Sequence, residues 1–141
     1  MISISDYFGK YGKSHKDVTP PRYAAAQILL LKVNKLMQIA IDDGVEFPIN
    51  PKTKSQVAGE TNGGFRPQDC TIGAPLSAHK ICQAVDLYDP KGEIDDWLTS
   101  SPVAREAIKE LDMYFEDKSA TVGWSHWSTK APKSGRRFFL P

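Results

Sequence analysis

The chain carries three histidines, His15, His79 and His126, and the last two sit in contexts suited to holding a metal. His79 precedes Asp86 by seven positions in SAHKICQAVD, and His126 lies in WSHWS. Imidazole and carboxylate are good zinc ligands, and two His with one carboxylate leave a fourth position free for water. That free position separates a hydrolytic zinc from a structural one. These three residue types recur by accident in any chain of this length, so the surrounding sequence has to carry the assignment. His15 lies in a polar N-terminal segment and reads as a surface residue.

The elements that must position these side chains are legible in outline. Thr19-Pro20-Pro21 is a helix start, with a capping hydroxyl and proline in the first turn. Ala26, Leu29, Val33, Leu36 and Ala40 then recur at helical spacing, which predicts a helix with one buried stripe ending near Asp43-Gly44. Residues 45–76 are rich in Gly and Pro; Val45 to Pro48 is a possible strand start, and the rest reads as a binding or active-site loop. Ala84 to Tyr88 is a strand stopped by Asp89-Pro90-Lys91-Gly92, with Asp89 as a turn residue. Ile94, Trp97 and Leu98 suggest a short helix. Ser101-Pro102 starts another, with Val103, Ala107, Leu111 and Tyr114 on one face and Glu116 at its end. Trp124 to Ser128 and Arg136 to Leu140 read as strands, and Trp127 faces the core side, opposite His126. The order predicts an α+β fold with a small antiparallel sheet and flanking helices, in one domain over residues 1–141.

Composition bounds the function. The chain is 40% hydrophobic and 25% charged, which excludes collagen-like and wholly disordered classes. Eighteen Lys and Arg against seventeen Asp and Glu give a net charge of +1, so no bulk electrostatic case exists for nucleic acid or an anionic membrane. Cys70 and Cys82 make no disulfide framework and read as two reduced thiols. Residues 1–13 contain no apolar core of a signal peptide, and the apolar run Ala24 to Leu31, broken by Gln27, is short of a membrane span. The expectation is a protein made in the cytoplasm without membrane insertion. If it acts outside, another component must release it.

SAHKICQAVD resembles the Ser-x-His-x-x-Gly-x-Ala-x-Asp motif of the D-Ala-D-Ala carboxypeptidase and dipeptidase family of zinc peptidases. WSHWS resembles the family's later Trp-x-His, and Gly63-Gly64-Phe65-Arg66 resembles its Ser-Gly-Tyr-Arg, all in the family's order. The helix AAQILLLKVNKLM and the tail SGRRFFLP are similar to those of phage and prophage members. The resemblance implies a hedgehog-like fold with zinc on the sheet, held by His79, Asp86 and His126. It implies that Arg66 faces the substrate carbonyl or carboxylate and stabilises the oxyanion. Ser77 and Trp124 are implied as further substrate contacts, although packing alone also accounts for Trp124. The implied activity is hydrolysis of peptidoglycan stem peptides by a phage or prophage protein that acts on the cell wall.

Two positions depart from the family pattern. Cys82 stands where the motif has Gly, with packing or a thiol near the metal as its alternatives. Gly123 stands where many relatives carry the Glu general base, three residues before the final His. Glu116 is the best substitute and Asp117 the second, against a solvated helix end for both. Gly123 also favours an alternative, a weakly active or inactive cell-wall-binding or virion module; a zinc-stabilised interaction domain is a third reading. Arg66, in a breaker-rich loop, is expected to serve the reaction rather than the fold.

Overall fold

The computed structural model describes residues 1–141. Four helices, α1 (Ile4–Phe8), α2 (Pro20–Asp42), α3 (Glu93–Ser100) and α4 (Pro102–Leu111), flank a sheet of β1 (Ala84–Asp89), β2 (Tyr114–Glu116), β3 (Gly123–Ser128) and β4 (Phe138–Phe139). The fold is α+β with strand order β1-β3-β2-β4.

Helix α2 starts as the sequence predicts. The Thr19 hydroxyl accepts from the Arg22 amide, and proline occupies the first turn, where its missing N–H costs nothing. The predicted stripe is fully buried, and Leu30 and Met37 widen it. Leu29, Val33, Leu36 and Met37 share one core with Val85, Leu87, Phe115 and Trp127 of the sheet. Truncating any of these large side chains to alanine would cost about 2–5 kcal/mol. By length and composition the whole of α2 also meets the criterion for a membrane-crossing helix, although the run Ala24 to Leu31 alone does not.

The sheet is mixed rather than antiparallel. β3 pairs antiparallel with β1 and with β2, but β4 pairs parallel with β2. β2 occupies the place beside β3 that a hairpin partner would take. The chain reverses through residues 129–137 and lands outside β2, so its reversed direction becomes parallel. Four other expectations are corrected. Val45 to Pro48 forms no strand. Glu116 lies on a strand, not at a helix end, because α4 stops at Leu111 with Asp112 in the left-handed conformation. The buried face of α4 is Ala104, Ala107 and Ile108, while Val103 is exposed. Asp89 is more than a turn residue: it is buried, and its carboxylate accepts from the amides of Ile94 and Asp95, capping α3.

Residues 56–66 run along the outer edge of β1. Tyr88 N donates to Gln56 O, Ala58 N to Asp86 O, and Asp86 N to Gly63 O. Gly64 is pressed against α1, where an added Cβ would stand 1.9 Å from the Tyr7 carbonyl oxygen. Only glycine allows that approach.

Candidate metal centre

The two faces of the sheet divide its side chains by period two. Val85, Leu87, Phe115 and Trp127 point into the core. Asp86 and His126 are cross-strand partners on the other face. The β2–β3 register, Tyr114 with Ser128 and Phe115 with Trp127, continues by one residue to set Glu116 opposite His126. Phe139 pairs with Glu116 in turn. One row across the four strands is therefore Asp86, His126, Glu116 and Phe139.

His79 reaches this row from a short 3-10 turn, Ala78–Ile81, which Ser77 caps by accepting from the His79 amide. The turn ends at Cys82 with φ +60°, a left-handed conformation that favours glycine. Cys82 is buried, burial pushes its thiol up to about 11, and it is not one of the side chains that converge as a metal-competent group. Cys70 and Cys82 are both free thiols.

His79 Nδ1 lies 2.7 Å from the Gly64 carbonyl. A carbonyl only accepts, so Nδ1 carries the proton and Nε2 presents a lone pair. That Nε2 is the one buried side-chain nitrogen or oxygen without a hydrogen-bond partner, and it faces Asp86 Oδ1 at 3.3 Å. His126 Nδ1 lies 2.8 Å from the same oxygen. An unpaired imidazole lone pair facing a carboxylate oxygen is the arrangement a cation resolves, and a carbonyl behind the first ligand is the usual outer support of a metal-bound His. His79, Asp86 and His126, all buried, form a group able to bind a metal ion. No protein-family model, curated protein or solved structure matches the chain.

Arg66 takes the other carboxylate oxygen, with Nη2 3.2 Å from Asp86 Oδ2. It is buried, and it also donates from Nε to Asn62 O at 2.8 Å and from Nη1 to Ile72 O at 3.4 Å. This fold-holding part was not legible from its loop setting. Burial would raise the Asp86 carboxyl, but the neighbouring His79 and His126 rings outweigh it and hold Asp86 well below the usual carboxylate range. Burial would lower the His126 ring, but the hydrogen bond and charge of Asp86, with Glu116 behind them, raise it.

Glu116 Oε1 is 4.0 Å from His126 Nδ1, and the side chain is mostly shielded. Its neighbour Asp117 points elsewhere and caps the Lys118–Ala120 turn through the Ser119 amide. Gly123 has φ +94°, a conformation an L side chain rarely adopts, so a glutamate there would strain the backbone although the space beside it is open. Arg66, Ser77, His79, Asp86, Glu116, Trp124 and His126 all line one cavity of about 490 Å³. His15 lies outside it, half-buried against Tyr11 and Phe65.

Proposed function

We propose that this chain is a zinc peptidase that hydrolyses peptidoglycan stem-peptide bonds, built on the D-Ala-D-Ala carboxypeptidase-like, hedgehog-like fold. The observation that carries the reading is the orphaned His79 Nε2 facing Asp86 Oδ1, at positions where the motif resemblance expects ligands. Zinc suits a set of two imidazoles and a carboxylate. When bound, it lowers the pKa of water to about 7 and polarises a carbonyl oxygen.

The chain's own residues supply the rest. The Gly64 carbonyl fixes the His79 tautomer. Arg66 uses three of its N–H groups on Asn62, Ile72 and Asp86. A guanidinium has five, so two remain for the oxygen that gains negative charge as the amide carbon turns tetrahedral. Glu116 takes a proton from the attacking water and returns it to the departing amine, which leaves one new carboxylate and one new amine. The phage or prophage setting, with release from the cytoplasm by another component, rests on the resemblance of the first helix and the tail.

The test is metal content and hydrolysis together. The purified protein should hold one zinc, and His126→Ala should lose most of it. Purified cell walls should lose turbidity in its presence, and a chelator should stop the loss. Full zinc in His126→Ala refutes the ligand set. Gly123, in place of the usual glutamate, favours a second reading, a metal-holding wall-binding module; stoichiometric zinc with bound but undegraded walls would select it.

A further inference from the structure

We infer that the site takes the interior of a peptide chain rather than its end. This rests on the peptidase reading above and specifies its substrate. The metal group does not sit at the bottom of a blind pocket. The cavity of about 490 Å³ that holds His79 and His126 adjoins a second of about 670 Å³, and Arg66, Ile72, Asp86 and Trp124 border both. Each lobe alone falls within the roughly 300–1,000 Å³ range of ligand pockets. Asp86 and Arg66 form the partition, so a bond held there has room for chain on both sides.

Both lobes mix apolar and polar walls. Ala74, Ala78 and Phe139 stand beside Ser77, Glu116 and Lys130 in the metal lobe. Pro51, Ala58 and Val122 stand beside Asn50, Asn62 and Glu60 in the other. Chain on either side of the scissile bond therefore meets both apolar contacts and hydrogen-bonding groups.

A carboxypeptidase also has to hold a terminal carboxylate, which calls for a sheltered cation at the end of its pocket. Neither lobe has one to spare. Lys130, in the metal lobe, is exposed. Lys52, in the other lobe, is exposed and faces Glu60 at 3.5 Å. Arg66 stands at the centre, not at an end. Lys80 is buried, but its ammonium donates to Gln68 O, and it lines neither lobe. The reaction is hydrolysis of an internal amide: water adds to the carbonyl carbon, the C–N bond breaks, and the nitrogen leaves with a proton.

The probes are N-acetyl-L-alanyl-γ-D-glutamyl-L-lysyl-D-alanyl-D-alanine as free acid and as C-terminal amide. The zinc-loaded protein is given each, and products are weighed by mass spectrometry. Binding is measured on the zinc-loaded Glu116→Gln variant through tryptophan emission; Trp124 borders both lobes, whereas Trp97 and Trp127 are buried. The expected result is cleavage of both probes at the same internal bond, with kcat/KM equal within about threefold. Cleavage of the free acid alone, with release of terminal alanine and the amide slower by about tenfold or more, overturns the inference and leaves the peptidase reading standing. If neither probe is cut, the peptidase reading fails, and binding decides for the groove. Equal affinity for acid and amide supports it, whereas binding of the acid alone, or of neither, overturns it.

Discussion

Replacing Arg66 with alanine is expected to lower the melting temperature, and to lower it more without zinc than with it. The contact to Asn62 O, at 2.8 Å from a charged donor, is worth about 1.5–3 kcal/mol. The contact to Ile72 O, at 3.4 Å, adds little. The pair with Asp86 is buried on both sides, and removing one partner of a buried pair costs about 3–5 kcal/mol because a bare carboxylate remains. His79 and His126 also face that carboxylate, so its share lies near the lower bound. The metal-free loss is then about 4–6 kcal/mol. A zinc ion would neutralise Asp86 from the other oxygen, leaving mainly the loop contact, about 2–3 kcal/mol. At about 4 °C per kcal/mol for a domain of this size, the drops are about 15–25 °C and about 8–12 °C. Calorimetry on wild type and variant, each with a chelator and with saturating zinc, measures both. Equal drops in the two conditions, or drops below about 2 °C, would refute the idea that Arg66 supports the Asp86 charge. Arg66→Lys should fall between the two proteins, because one ammonium cannot reach Asn62 O and Asp86 together with the same fork.

Glu116→Gln should retain zinc and melt within about 3 °C of wild type, while turnover on stem peptide falls by about 10²–10⁴; unchanged turnover would remove Glu116 from the chemistry. Gly64→Ala should destabilise by about 2–4 kcal/mol and weaken zinc retention, since the new Cβ meets the Tyr7 carbonyl and displaces the carbonyl that holds His79; thermal melts and metal analysis read both effects. In the metal-free protein the raised His126 contributes stability that is fully present below its unfolded pKa, about 6.5, and is lost as pH rises through its folded value. Zinc must displace that proton, so its affinity falls up to about tenfold per pH unit below the folded value. The zinc-induced rise in melting temperature should therefore be larger at about pH 8 than at about pH 6; a rise independent of pH would show that no His126 proton is displaced.

What was legible in the sequence was what repeats over several turns or alternates over several residues. The α2 stripe was readable because each position repeats a burial decision, and the two-residue period of a strand set Trp127 opposite His126. The two-residue strand β4 and three-residue strand β2 offer no period, so their pairing and the parallel direction were not readable. Glu116 was singled out as the carboxylate nearest along the chain. Its place beside His126 depends on β2 being a strand, a feature that three residues after a helix do not announce. Arg66 looked like a loop residue because the contacts that bury it, Asn62 O and Ile72 O, are backbone carbonyls, which no side-chain pattern reveals. Gly123 read as a missing base, whereas its positive φ shows a backbone that favours glycine at that point.

The row of Asp86, His126, Glu116 and Phe139 has a consequence for how the protein is made. The β1–β3 ladder joins residues such as Ala84 and Ser128, with both intervening helices in the loop between them. Closing such a loop must precede any reward from the ladder, which makes the pairing a slow event in folding. Tight capture of a metal would then belong to the finished chain, because Asp86 and His126 meet only when that ladder is in register. A one-residue slip of β3 would turn His126 into the core and bring Trp127 out. Zinc added during refolding should thus leave the folding rate nearly unchanged and slow unfolding, acting as a clasp on the completed sheet rather than as its nucleus.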